Sequence, residues 1–116
     1  MFFKKRKGIN EVKTELISVL EKLNKLLEVC NFRTQADVVN CLLIFLEQNK
    51  IEAFKKRIRS VDMWGGSGAV WEILIQDEKM MEEFDAEIIK LINIMDLLGW
   101  RSFRMKRVRN LLRENS

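Results

Sequence analysis

A chain of 116 residues fits one domain, and its 47% apolar and 33% charged residues suit amphipathic helices around a core that needs neither metal nor disulfide. The absence of histidine removes the commonest general base and metal ligand near neutral pH, and the absence of proline removes the strongest helix breaker. The formal net charge of +4 averages over opposed blocks: the two ends together carry +9 and the body between them −5.

Residues 1–9 read as a basic N-terminal tail with Lys4, Lys5, Arg6 and Lys7, and residues 10–116 as a single helical domain. The tail has its apolar residues before its charges, with no long apolar stretch after them, which is not a secretory leader. No apolar run reaches the length of about 18 residues that a membrane span needs. A cytoplasmic location and no membrane partner are therefore expected. Cys30 and Cys41 fall in apolar stretches and are expected to be reduced core residues.

The first helix is predicted to start at Asn10 as N-cap, with Glu11 in its first turn, and to end near Asn31. Val12, Leu16, Val19, Leu20, Leu23, Leu26, Leu27 and Cys30 recur at helical spacing and form its inner stripe. Thr34-Gln35-Ala36-Asp37 resembles a capping box for a second, central helix through Val38–Leu46. Ile51, Phe54, Ile58 and Val61 predict a third helix with a basic outer face, continuous with the second or kinked near Gln48-Asn49-Lys50. Ala69 to Gln76 predicts a short helix with Val70, Trp71, Leu74 and Ile75 inward. Asp77 is placed to cap the longest helix, whose stripe runs from Met80 and Met81 through Phe84, Ile88, Leu91, Ile92 and Met95 to Leu98. Gly99 is placed to end it with φ above zero. Ser102 is placed to cap a last helix, Phe103 to Arg113, with Phe103, Val108, Leu111 and Leu112 inward. The expected fold class is all-α, an irregular bundle of five to six helices with short connections.

Two charge clusters stand out. Glu72, Asp77, Glu78, Glu82, Glu83, Asp85 and Glu87 face only Lys79 within sixteen residues. Such a surface repels nucleic acid and steers toward a basic partner. Arg101, Arg104, Lys106, Arg107 and Arg109 crowd the last helix and offer a nucleic-acid contact instead. The turn Leu98-Gly99-Trp100 fits a helix-turn-helix as well as any bundle corner.

The one irregular landmark is a glycine loop, Gly65-Gly66-Ser67-Gly68, between Trp64 and Trp71. Its simplest reading is a tight corner whose indoles cover the core. Its other readings are an anion held at a helix N-terminus and contact with a partner protein. It matches neither a dinucleotide fingerprint nor a P-loop. No Ser-His or Cys-His pair exists, and Ser67 has no evident base. Glu82, Glu83 and Asp85 lack the Glu-x-x-His ligand pairs of di-iron bundles, so carboxylate-only magnesium binding is the one metal chemistry left open. No catalytic residue, metal or cofactor is expected.

The stretch Val61-Asp62-Met63-Trp64-Gly65-Gly66-Ser67-Gly68-Ala69-Val70-Trp71-Glu72 resembles the signature of a family of small helical bacterial proteins. In that family a hydrophobic residue, two glycines, one intervening residue and a third glycine follow a helix and open the next. Some members resemble immunity proteins encoded beside polymorphic or contact-dependent toxins. The resemblance implies a cytoplasmic protein without catalysis that binds one cognate toxin domain, often a nuclease, and occludes its active site. The basic overall charge departs from the acidity of many nuclease immunity proteins, a departure softened by the acidic block. The second reading is a nucleic-acid-binding or regulatory helical protein that uses the basic last helix.

Overall fold

The computed structural model describes residues 6–114, so Lys4 and Lys5 of the basic tail lie outside the described residues. The fold is all-α, with six α-helices and no strand among the described residues. Helix α1 spans Ile9–Val29. The Gly8 amide donates to the Glu11 carboxylate at 2.7 Å, and the Glu11 amide donates to the Gly8 carbonyl at 3.1 Å. Gly8 is therefore the cap, and Asn10 sits exposed within the first turn. The Lys7 amide donates to the Leu97 carbonyl at 2.8 Å and ties residue 7 to the body.

Val12, Leu16, Val19, Leu20, Leu23 and Leu27 form the buried side of α1. The helix closes at Asn31, whose φ is +64°. Phe32 N–H then reaches the Leu27 carbonyl at 2.8 Å, and Asn31 N–H the Glu28 carbonyl at 3.1 Å. This paired closure satisfies two orphan carbonyls with one left-handed residue. It also delivers the chain straight into α2, Arg33–Glu47, with Phe32 as its cap. The expected capping box at Thr34–Asp37 does not form, because both residues already lie inside the helix. A side-chain cap contributes about 1 kcal/mol, whereas each buried aliphatic contributes roughly 2 kcal/mol. Burial of Val38, Val39, Leu42 and Leu46 thus carries α2 without a cap.

The same closure recurs at Asn49, with φ +56°, where Lys50 N–H reaches the Phe45 carbonyl at 2.8 Å. It separates α2 from α3, Ile51–Ile58, so the two helices are not continuous. Phe54 and Ile58 point inward from α3. Val61 does not extend this helix; it opens the single turn α4, Val61–Trp64, and is 59% exposed.

After the glycine loop the predicted helix shrinks to a 3-10 turn, Val70–Glu72. The following backbone is extended at Ile73. Alternation then replaces helical spacing: Ile73 and Ile75 are buried, and Leu74 is 77% exposed. The expectation that Leu74 points inward fails for that reason.

Asp77 caps α5, Glu78–Leu98, by accepting from Met80 N–H at 2.9 Å. α5 equals α1 in length at 21 residues. Gly99 ends α5 at φ +73°, with Trp100 N–H on the Met95 carbonyl at 2.8 Å. Ser102 Oγ accepts from Met105 N–H at 3.3 Å and starts α6, Phe103–Glu114. Met105 and Val108 are buried there, while Phe103, expected inside, is 82% exposed. α1 packs against both α2 and α5, α2 also against α3 and α4, and α6 against α5 and α4.

At Gly65 a Cβ would lie 2.6 Å from the Val61 carbonyl oxygen, a backbone atom that cannot swing away. At Gly66 a Cβ would meet nothing within 4 Å. Gly65→Ala is expected to lose about 1–3 kcal/mol of stability by overpacking. Gly66→Ala is expected to stay within about 0.5 kcal/mol of wild type. Urea denaturation of the two variants side by side checks this; equal midpoints would contradict it.

Candidate functional site

The helical pitch and the packing of α5 divide the acidic block. Glu78, Glu82 and Glu83 are exposed on the N-terminal half of α5, behind exposed Asp77. Glu78 and Glu82 are one turn apart on the same face, with Asp85 continuing that line. None of these five carboxylates has an ion pair among the described residues. The positive end of the helix dipole offsets part of the repulsion between Asp77 and Glu78.

Two members of the block are turned inward, which corrects the expectation of a fully solvated face. Glu87 is only 6% exposed. It lies between Phe84 and Leu91 on the side facing α1, where Lys22 Nζ stands 3.7 Å and Lys90 Nζ 3.1 Å from Oε1. Glu87 is thus spent on holding α1 to α5. The sequence carried the signal, because Glu87 is three residues after Phe84 and four before Leu91 in the apolar stripe. Asp85 is half-buried, and its Oδ1 is buried without a hydrogen bond. Burial pushes its carboxyl pKa up from 3.8.

An apolar patch adjoins Asp77 and Glu83. Val29 is 61% exposed, and Leu74 is its counterpart across Met80. Two shallow grooves share Met80. One, of about 530 Å³, is lined by Leu26, Val29 and Glu83 with Lys22 and Lys25; the other, of about 320 Å³, is lined by Cys30, Phe32, Leu74 and Asp77. This patch is hidden in the sequence, because the helical period from Ala69 to Gln76 puts Leu74 in the core. Cys30 and Cys41 are free thiols, both half-buried.

Glu72 is separated from the rest of the block. It lies on a third groove, of about 510 Å³, between the glycine loop and α6. The loop is pinned as a corner. Trp64 is buried, and its indole N–H donates to the Ile58 carbonyl. The half-buried Trp71 donates to the Gly65 carbonyl at 2.9 Å, and Gln35 holds the Gly68 carbonyl at 3.0 Å. Gly68 takes φ +89°.

The basic cluster on α6 is divided too. Its buried stripe runs through Met105 and Val108, with Arg109 on one flank and Arg104, Arg107 and Leu111 on the other. Arg109 binds the Asp96 carboxylate and, at 2.8 Å, Asn93 Oδ1. Arg101 Nε binds the other Asp96 oxygen at 3.1 Å. Both are committed to docking α6 on α5. Arg104, Lys106 and Arg107 stay exposed, with Arg104 and Arg107 on the groove beside the glycine loop. Trp100 fastens the corner before α6, its ring 6.2 Å from Phe54 and 5.4 Å from Lys55 Nζ.

Among the described residues no group of His, Cys, Asp or Glu side chains is placed to hold a metal ion, and no helix is long and apolar enough to cross a membrane. Compared with protein-family models, curated proteins and solved structures, the chain has no match.

Asp96→Ala strands two guanidinium groups, one of them mostly buried, and is expected to cost about 2 kcal/mol of stability. A wild-type urea midpoint in that variant would contradict the docking role. Asp85→Asn is expected to stabilise the protein at neutral pH. A raised folded-state pKa means that ionisation opposes folding, so the wild type loses stability as pH rises above 3.8. The advantage of the variant should shrink as pH falls toward that value, which a pH series of denaturation curves measures directly.

Proposed function

We propose that this chain is a protein-binding module of the immunity kind, which neutralises a cognate toxin domain by covering its active site. The observation that carries this reading is the pair of exposed, unpaired carboxylates Asp77 and Glu83, which line the two grooves with the exposed apolar side chains Leu74 and Val29, backed by the exposed, unpaired Glu78 and Glu82 on the other flank of α5. Exposed apolar side chains on grooves that share Met80 supply anchors to desolvate. Unpaired charge around them supplies steering and orientation toward a basic partner. A nuclease domain fits that description, because its own substrate site must attract phosphate. The module itself performs no chemistry; binding is the whole activity, and the cytoplasm is where such a partner is met. The glycine loop enters as the family-like mark and as a corner, while the contact surface lies on α5 and the C-terminal end of α1.

Reversing Glu78, Glu82 and Glu83 to lysine touches no buried group. The triple variant is expected to keep its thermal midpoint and to bind its partner about tenfold or more weaker, mainly through slower association at low salt. The test is co-expression with the C-terminal domain of an exported protein encoded directly upstream, followed by size-exclusion chromatography and binding kinetics. A 1:1 complex sensitive to the reversal supports the reading. Recovery of no complex, or unchanged affinity in the triple variant, removes it.

A further inference from the structure

The groove between the glycine loop and α6 lies apart from the α5 patch and has the opposite charge. Its floor is apolar, formed by Val61, the Trp71 ring, Val108 and Leu111. Val61 is 59% exposed there, and Leu111 37%. Arg104 and Arg107 stand on its α6 side, one turn apart, and neither has an ion pair or hydrogen bond among the described residues. The opposite wall is bare backbone at Gly65 and Gly66.

Gly66 is the telling residue. Gly65 is required by the Val61 carbonyl against it, and Gly68 by its left-handed backbone. Gly66 has neither reason, since its φ is not positive and the space above it is open. A missing side chain in such a place leaves room for another chain to approach the backbone closely.

We propose that this groove docks an acidic, apolar-anchored segment of a partner protein. One apolar side chain of that segment rests on Val61, Trp71 and Leu111. Carboxylates on either side of it meet Arg104 and Arg107, whose planar forks suit bidentate pairing. Glu72 on the rim sets the polarity: it repels a phosphate backbone and orients the acidic side of the segment toward α6. The Trp71 indole N–H is already satisfied by Gly65, so the ring offers an apolar face. Nucleic acid is the poorer fit, because two of the six bases on this helix and its approach, Arg101 and Arg109, are bound to Asp96. The proposal is independent of the toxin-binding reading, which uses other residues.

The probe is a random peptide library displayed on phage, selected on the full chain and counter-selected on Gly66→Trp. That variant places an indole over the groove without strain, so it should keep the wild-type thermal midpoint. Recovered peptides are expected to carry paired carboxylates around an apolar anchor and to shift the Trp71 indole N–H signal in NMR spectra. Their affinity should fall about tenfold or more on Gly66→Trp and on Arg104→Glu/Arg107→Glu. Lysine in place of the peptide carboxylates should restore binding to the arginine double variant. Recovery of no peptide that distinguishes the wild type from Gly66→Trp overturns the proposal, as does enrichment of basic peptides. Fluorescein-labelled single-stranded or duplex DNA that displaces the peptides and depends on the same arginines also overturns it, by assigning the groove to nucleic acid.

Discussion

The structure depends on how three of its helices end. Asn31, Asn49 and Gly99 each take a left-handed backbone, and each lets the next amide reach back five residues to a carbonyl of the last turn. Helix termini otherwise leave such carbonyls without partners. Closing them within the chain lets α1 pass to α2, and α2 to α3, in three residues each, with no proline. Short corners fix the angles between successive helices, and those angles decide which stripes face each other. Asparagine tolerates this backbone at some cost, and glycine at almost none. The burial on both sides of each corner covers that cost.

Periodicity was a good guide to the core. The predicted stripes of α1 and α5 are the buried residues almost position by position, because two long amphipathic helices packed together leave little freedom. Starts were less legible. Asn10 and Thr34 have the chemistry of caps, but Gly8 and the Asn31 corner reach those termini first. The chain between the loop and α5 is ambiguous for a different reason. Val70, Trp71, Leu74 and Ile75 fit a helical period, and Ile73 with Ile75 equally fit a period of two. Only the tertiary position of the extended segment settles that ambiguity, and it turns Leu74 outward.

The charge pattern was legible as composition and illegible as geometry. In the sequence seven acids from Glu72 to Glu87 and five bases from Arg101 to Arg109 form two clusters. The structure spends part of each set internally: Glu87 on Lys22 and Lys90, and Arg101 with Arg109 on Asp96. What remains outside is smaller and better defined. Two carboxylates, Asp77 and Glu83, border an apolar patch at one place, and two arginines border an apolar groove at another. Neither juxtaposition is visible in the linear sequence, because Val29 and Leu74, or Val61 and Arg104, are more than forty residues apart. A charge that is already paired inside the fold makes a weak contact outside it, so this internal allocation is what separates scaffold from surface.

The docking of α6 has a dynamic consequence. Helix α6 buries only Met105 and Val108 fully and is held to α5 through Arg109 on Asp96 and Asn93. Helices with few buried side chains form the units that open first in sub-global unfolding. Amide exchange in α6 should therefore run faster than in α1 or the middle of α5, with the whole helix opening as one cooperative unit. Any segment held between the glycine loop and Arg104 would bridge that unit to α4 and slow its opening. The groove would then report its own occupancy as added protection in a helix whose amides the occupant never touches.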